Sequence, residues 1–340
     1  MEKITPIWEE YIKINMLGNS AYGTVYKAKS KKKKIVSIKE YVKYQKEAYE
    51  IYNNEIKYLN ELKSNNIINY IKTLNTEEYF YIIRDYYYGT LEEFVKVHNK
   101  QVSLKEIQMI LKDLSNAFKL LNEKNLVHRD IKPSNILLSL NGKNGYKAIL
   151  SGIHLIKKYN EKDISSLRAI RYICPPEGLK GESIDMKYDL WSVGILIYFM
   201  IKGKYPFNGS TDVLVLTQIE KGVNLDISSD NDLNDLLKKT LQKNVNQRIS
   251  WNEFFNHPFL NKQILDIYTE TEDMKKNKTD FIEKKKDFTN KIKNYRSEIK
   301  NYSTMIQKYQ PEYLQTFDDK IRDKLLDTSK IFEYFYTTLN

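Results

Sequence analysis

From Tyr11 to Arg84, short runs of alternating apolar and polar residues ("YIKINML", "TVYKAK", "IVSIKEY", "YFYIIR") have the period of two expected of strands with one packed face. One stretch of helical period, Gln45 to Leu62, interrupts them, which predicts a sheet carrying a single helix. From Leu91 onward the period lengthens in "LKEIQMILKDLSNAFKLLNEKN", "MKYDLWSVGILIYFMIKG" and "DLNDLLKKTLQK", predicting a mostly helical second lobe. Its longest apolar run, "VGILIYFMI" from Val193 to Ile201, falls far short of the roughly 18 to 20 residues that cross a bilayer, and reads as a buried helix.

After "HPFL", ending at Leu260, the pattern changes again. Phe281, Phe288, Ile292, Tyr295, Ile299, Tyr302, Ile306 and Tyr309 recur at steps of three and four, with Lys285 interrupting the seam. This predicts a helix over 281–309, broken by Pro311 and followed by a second amphipathic run through Leu314, Phe317, Ile321, Leu325, Phe332 and Phe335. Residues 261–340 are then either a helical hairpin packed on itself or on the preceding lobe, or a coiled coil that self-associates through 281–309 or meets a protein partner.

Composition narrows the function classes. A chain of 340 residues with 41% hydrophobic positions can bury a substantial core, which excludes a disordered chain. The single cysteine, Cys174, forms no internal disulfide, and "MEKITPIWEEYIK" has no apolar stretch before a small-residue cleavage site, so the expected location is intracellular and cytoplasmic. Four scattered histidines offer no metal-ligand spacing. The net charge of +11 favours acidic partners, but the surplus is spread along the chain without a nucleic-acid-binding motif. Lys31 to Lys34, between two strand-like runs, is either a solvated hairpin tip or a phosphate or lipid contact.

Chemistry concentrates in three places. In "LGNSAYGTV", Leu17 to Val25, Gly18 and Gly23 let backbone approach a phosphate and Val25 offers an apolar lid for a base. Downstream, "VSIK" puts Lys39 on a strand, and Glu55 in "NNEIKYLNEL" lies on the helix face of Leu59 and Leu62, where a carboxylate needs a buried cation; Lys39 is the natural one. The strongest signal is "LVHRDIKPSNILLS", Leu126 to Ser139. An aspartate, a lysine two residues on and an asparagine five residues on can orient a hydroxyl, neutralise a transferred phosphoryl group and coordinate a metal ion.

Together these motifs resemble the eukaryotic protein kinases of the serine/threonine type over about residues 11–260. The resemblance implies an α+β, bilobal fold with a small β-rich lobe (about 11–85), a larger helical lobe (about 86–260) and a helical or coiled-coil extension. It implies that Gly18, Gly23, Val25, Lys39 and Glu55 serve ATP, that Asp130 is the catalytic base, Lys132 the phosphate-neutralising lysine and Asn135 a magnesium ligand, and that the substrate is a protein. Lys132 in this position implies serine/threonine specificity. "PPE" (Pro175 to Glu177) resembles the family's Ala-Pro-Glu element, Asp189 in "DLWSVG" the residue that steadies the catalytic loop, and Arg248 the partner of Glu177.

Four positions depart from the family. Aligning "YKAILSGIHL" on the Asp-Phe-Gly turn puts Leu150, Ser151 and Gly152 in its three places, and no aspartate occurs between Asp130 and Asp163 to replace the lost one. Leucine offers nothing to magnesium, a hard cation held by oxygen, and the loss implies a rate penalty of roughly a thousandfold or more. Ser151 removes an aromatic ring expected against the Leu59 region and His128, leaving a void or a different seating of the lobes. Ile170 stands where the family has a threonine. Arg84, at the back of the nucleotide pocket, either pairs with Glu55, competing with Lys39 at the adenine end, or snorkels outward past the sheet. The resemblance further implies that Arg129 beside Asp130 answers a phosphate on the activation segment, for which Ser165 and Ser166 are the candidates, although serines are common in loops. The expectation is a pseudokinase acting as scaffold or allosteric regulator, with an active serine/threonine kinase of unusual metal coordination as the alternative.

Overall fold

The computed structural model describes residues 6–20, 23–87, 89–97, 102–140, 146–159 and 170–264. The expected helices over 281–309 and beyond, and the loop serines Ser165 and Ser166, lie outside them.

A short helix α1 (Pro6–Glu10) leads into strands β1 (Tyr11–Ser20), β2 (Gly23–Ser30) and β3 (Ile35–Val42), helix α2 (Lys46–Glu61), and strands β4 (Tyr70–Asn75) and β5 (Tyr79–Asp85). The strands form one antiparallel sheet in the order β1-β2-β3-β5-β4. Strand β4 is an element that the alternation did not predict. It is an edge strand whose residues are only half-buried or exposed, so its sequence carries no apolar face.

The pleat sorts this sheet into two faces. Ala28, Val36, Ile38, Tyr81 and Ile83 close one small core with Ile7 and Tyr11. Tyr41, Phe80 and Ile82 turn the other way, into a core that includes Ala48, Ile51, Tyr58 and Leu59 of α2. Because successive side chains alternate, Lys39 and Arg84 share the α2 face with Tyr41 and Ile82. Position in the strand therefore decides which way Arg84 points.

The second lobe begins with β6 (Gly89–Thr90), α3 (Leu91–Val97) and α4 (Leu104–Glu123). Ser103 and Glu106 form a reciprocal capping box at the start of α4, satisfying two otherwise orphaned backbone donors. Strands β7 (Leu126–Val127), β8 (Ile136–Leu140), β9 (Tyr146–Leu150) and β10 (Lys157–Lys158) carry the intervening loops. Helices α5 (Pro176–Leu179), α6 (Tyr188–Lys202), α7 (Asp212–Lys221), α8 (Asn231–Thr240), α9 (Trp251–Phe255) and α10 (Pro258–Asn261) complete the lobe. Every residue of α6 from Tyr188 to Met200 is buried, as its unbroken apolar run predicts, and Gly203 ends it in the left-handed region at φ 62°. Among the described residues no helix is long and apolar enough to cross a membrane.

Backbone and amide bonds tie the lobes together beside β9. The Leu150 N–H donates to Asn66 O and the Ile68 N–H to Leu150 O, both at 2.8 Å. The Asn66 amide donates to Ala148 O at 3.0 Å and accepts from the Asn116 amide at 3.1 Å.

Candidate functional site

The β1–β2 hairpin carries the expected phosphate loop. Gly18 pairs with Val25 and is exposed, with open space where a side chain would stand. At Gly23 the reason for glycine is steric, since a Cβ there would run into the carbonyl oxygen of Glu40 on β3. Val25 lies opposite Lys39 across β2 and β3.

Behind this hairpin a buried carboxylate collects three donors. Glu55 is fully buried, and Lys39 Nζ reaches its Oε2 at 2.9 Å. The Tyr41 hydroxyl also donates to Oε2, and the Arg84 guanidinium donates to Oε1 through Nη2. Burial pushes the Glu55 carboxyl up, but Arg84 and then Lys39 overcome it and hold the group well below the ordinary carboxylate range. Lys39 is shifted down, by burial first and by the charge of Arg84, despite the attraction of Glu55. Of the two sequence readings of Arg84, the structure has the inward one. Arg84 Nε has no hydrogen-bond partner among the described residues.

The residues expected of a catalytic loop converge around Asp130. Lys132 Nζ bonds both oxygens of Asp130, at 2.8 and 2.9 Å, and the Asn135 amide donates to Asp130 Oδ2 at 2.6 Å and to its carbonyl at 2.8 Å. Burial raises the Asp130 carboxyl above its usual range against the pull of Lys132. The loop's shape is forced at Arg129, whose φ of 70° is costly for a residue with a side chain. Buried Asp189 compensates by accepting from the His128 and Arg129 N–H groups at 2.6 and 2.9 Å. Burial lifts Asp189 to about 6 against those two bonds, and pushes His128 down to about 3.

Leu150 is fully buried at the end of β9, opposite Ile136. Ser151, also buried, follows the catalytic loop closely, its N–H and hydroxyl both donating to Asn135 O at 2.8 Å. Gly152 takes φ 78°, and a Cβ there would strike the Asn135 amide. Its successor but one, His154, lies close enough to Lys39, Glu55, Lys132 and His128 to feel their charges; burial pushes it down to about 3, and its Nδ1 has no hydrogen-bond partner among the described residues. Ile170 is 40% exposed. Buried Glu177 and Arg248 form a two-pronged ion pair at 2.6 and 3.0 Å.

These atoms set what the cleft can hold. The Asn135 amide nitrogen donates to Asp130, which leaves its Oδ1 as the oxygen that side chain could offer; Asp130 is itself engaged by Lys132, and the Leu150 side chain brings no oxygen. Among the described residues no group of three or more His, Cys, Asp or Glu side chains is placed to hold a metal ion. Magnesium is usually held through one or two carboxylates together with phosphate oxygens, and position 150 supplies no carboxylate here.

Four participants were not foreseen from the sequence. Tyr41 had a readable signal, since it lies two residues beyond Lys39 and so on the same face of β3. Asn54, whose amide donates to the carbonyls of His154 and Ile156 at 2.8 and 3.0 Å, Asn66 and His154 had none.

The protein kinase domain family matches residues 11–260. The chain is 31% identical over 272 residues to the "Serine/threonine-protein kinase atg1" of Dictyostelium discoideum, covering 76% of this chain and 40% of the relative. It is 31% identical over 265 residues to the "Serine/threonine-protein kinase ULK3" of Xenopus laevis (75% of this chain, 56% of the relative). It is 29% identical over 276 residues to the "Serine/threonine-protein kinase unc-51" of Caenorhabditis elegans (75% and 32%). The chain thus spans between about a third and somewhat over half of these relatives' own lengths.

Proposed function

The chain belongs to the protein kinase domain family, and from that premise we propose that it is a pseudokinase: a kinase-fold protein with weak or no phosphoryl transfer that acts on protein partners as a scaffold or allosteric regulator. The observation that carries this reading is Leu150, the residue that alignment on the Asp-Phe-Gly turn puts in place of the metal-holding carboxylate; it is fully buried, its backbone bonded to Asn66 and Ile68. A transferring phosphoryl group needs its charge neutralised by metal, and a bound ion supplies several kcal/mol of that stabilisation. Lys39 and Lys132 supply positive charge to a nucleotide but leave magnesium with few oxygen ligands. Ile170 and Arg84 support the same reading, Arg84 by filling the back of the cleft.

A second reading rests on the retained residues. Lys39 on Glu55, and Lys132 and Asn135 on Asp130, support an active serine/threonine kinase with atypical metal coordination, in line with the names its relatives carry.

Thermal unfolding of the full chain with ATP, with and without magnesium, separates the two. A ligand at a hundred times its Kd adds about 2.7 kcal/mol, a shift of several degrees. The pseudokinase reading expects a shift with ATP that magnesium does not enlarge, or no shift at all. A magnesium-dependent shift lost in Lys39→Ala overturns it in favour of the active kinase.

A further inference from the structure

We propose that Arg84 is a positioning residue that latches α2 onto the sheet without nucleotide and without Lys39. The proposal concerns the resting conformation and holds whichever reading of catalysis is right.

Glu55 sits at the middle of α2 and is fully buried, so it is the point at which the helix is fastened to the sheet. Its two oxygens are divided. Among the described residues Oε1 is bonded by Arg84 alone, while Oε2 is shared by Lys39 and the Tyr41 hydroxyl. If Lys39 is drawn away to an anion, Glu55 keeps a full positive charge on one oxygen and a hydroxyl on the other. Lys39 is the member free to leave.

The two cations also differ in stiffness. Both stand on paired strands, Arg84 opposite Ser37 and Tyr70 and Lys39 opposite Val25 and Ile82, so the difference lies in the head group: the guanidinium of Arg84 is a planar, rigid fork of donors. An ammonium on a flexible stem is the weaker anchor.

The latch does not stand alone. One residue before Glu55, the Asn54 amide grips the His154 and Ile156 carbonyls, and the exit from α2 is held by the backbone bonds of Asn66 and Ile68 to Leu150. The helix is thus tied at its centre to the sheet and along its length to the segment around the altered metal turn. An α2 fastened in this way is a standing surface, set in place before any ligand arrives.

Hydrogen exchange of the nucleotide-free full chain, read peptide by peptide, tests the latch. Arg84→Met is expected to speed exchange in α2 by about tenfold or more while α6 is unchanged, and Lys39→Met to leave α2 within about twofold of the unmutated chain. Arg84→Lys, which keeps the charge, is expected to recover part of the lost protection. The proposal is overturned if Lys39→Met loosens α2 as much as Arg84→Met does, if Arg84→Met leaves α2 unchanged or loosens α2 and α6 together, or if Arg84→Lys recovers nothing. Should Arg84→Met fail to fold, the Lys39→Met arm decides: a protected α2 supports the latch and a loosened one overturns it.

Discussion

Replacing Arg248 with methionine removes the centre of a buried network whose cost can be worked from its bonds. The guanidinium is fully buried, forks onto both oxygens of Glu177, donates to the carbonyls of Lys187 and Gln242 at 3.1 Å each, and lies 5.3 Å from the Trp191 ring centroid. Stripping one partner from a buried ion pair costs about 3–5 kcal/mol, because Glu177 is left charged without compensation. Each orphaned carbonyl adds about 1 kcal/mol. The sum, about 5–7 kcal/mol, rivals the whole stability of an ordinary domain. Arg248→Met should therefore lower Tm by more than about 10 °C, or prevent folding, in a calorimetric or urea-unfolding assay. The double variant Glu177→Leu with Arg248→Met removes both charges and should regain at least about 2 kcal/mol over the single one. A single variant losing under about 1 kcal/mol, or a double variant whose loss equals the sum of its singles, would refute the reasoning.

Three further outcomes follow from the same geometry. Gly152→Ala forces a Cβ into the Asn135 amide at a φ of 78° and should cost about 1–3 kcal/mol in urea unfolding. Asn66→Ala deletes the amide bonds to Ala148 and from Asn116 and should cost a similar amount, about 1–3 kcal/mol, read as a lower urea midpoint at unchanged slope. His154 titrates near 6.5 when unfolded but is held at about 3 when folded, so between those values the unfolded chain binds more protons and stability falls as pH drops. At pH 5 this group alone costs about 2 kcal/mol relative to pH 7, and unfolding of His154→Asn at both pH values should show a pH dependence weaker by that amount.

The parts of this molecule legible in the sequence are those where one local rule governs the outcome. The long period of "LKEIQMILKDLSNAFKLLNE" and the capping residues Ser103 and Glu106 specify α4, and the all-apolar face of "VGILIYFMI" specifies a buried α6. Strand β4 was missed because its pairing partner and its exposure, not its own composition, make it a strand; Ile71 there is 44% exposed. Within the site, the Lys39–Glu55 and Glu177–Arg248 pairs were expected from their motifs and are met in space. Arg84 could not be resolved from the sequence because either orientation is chemically acceptable, and the choice falls to the pleat of β5 and the waiting carboxylate. Asn54 and Asn66 were invisible because they bind backbone carbonyls far along the chain, a contact for which no spacing rule exists.

The most direct test of the central claim is the rate of γ-phosphate transfer from ATP with magnesium to a degenerate serine/threonine peptide mixture, compared among the unmutated chain, Leu150→Asp and Asp130→Asn. The account predicts an unmutated rate within about tenfold of Asp130→Asn, and a gain of about a hundredfold or more, dependent on magnesium, in Leu150→Asp. An unmutated rate in the ordinary kinase range of about 1–100 per second, abolished in Asp130→Asn, would contradict it.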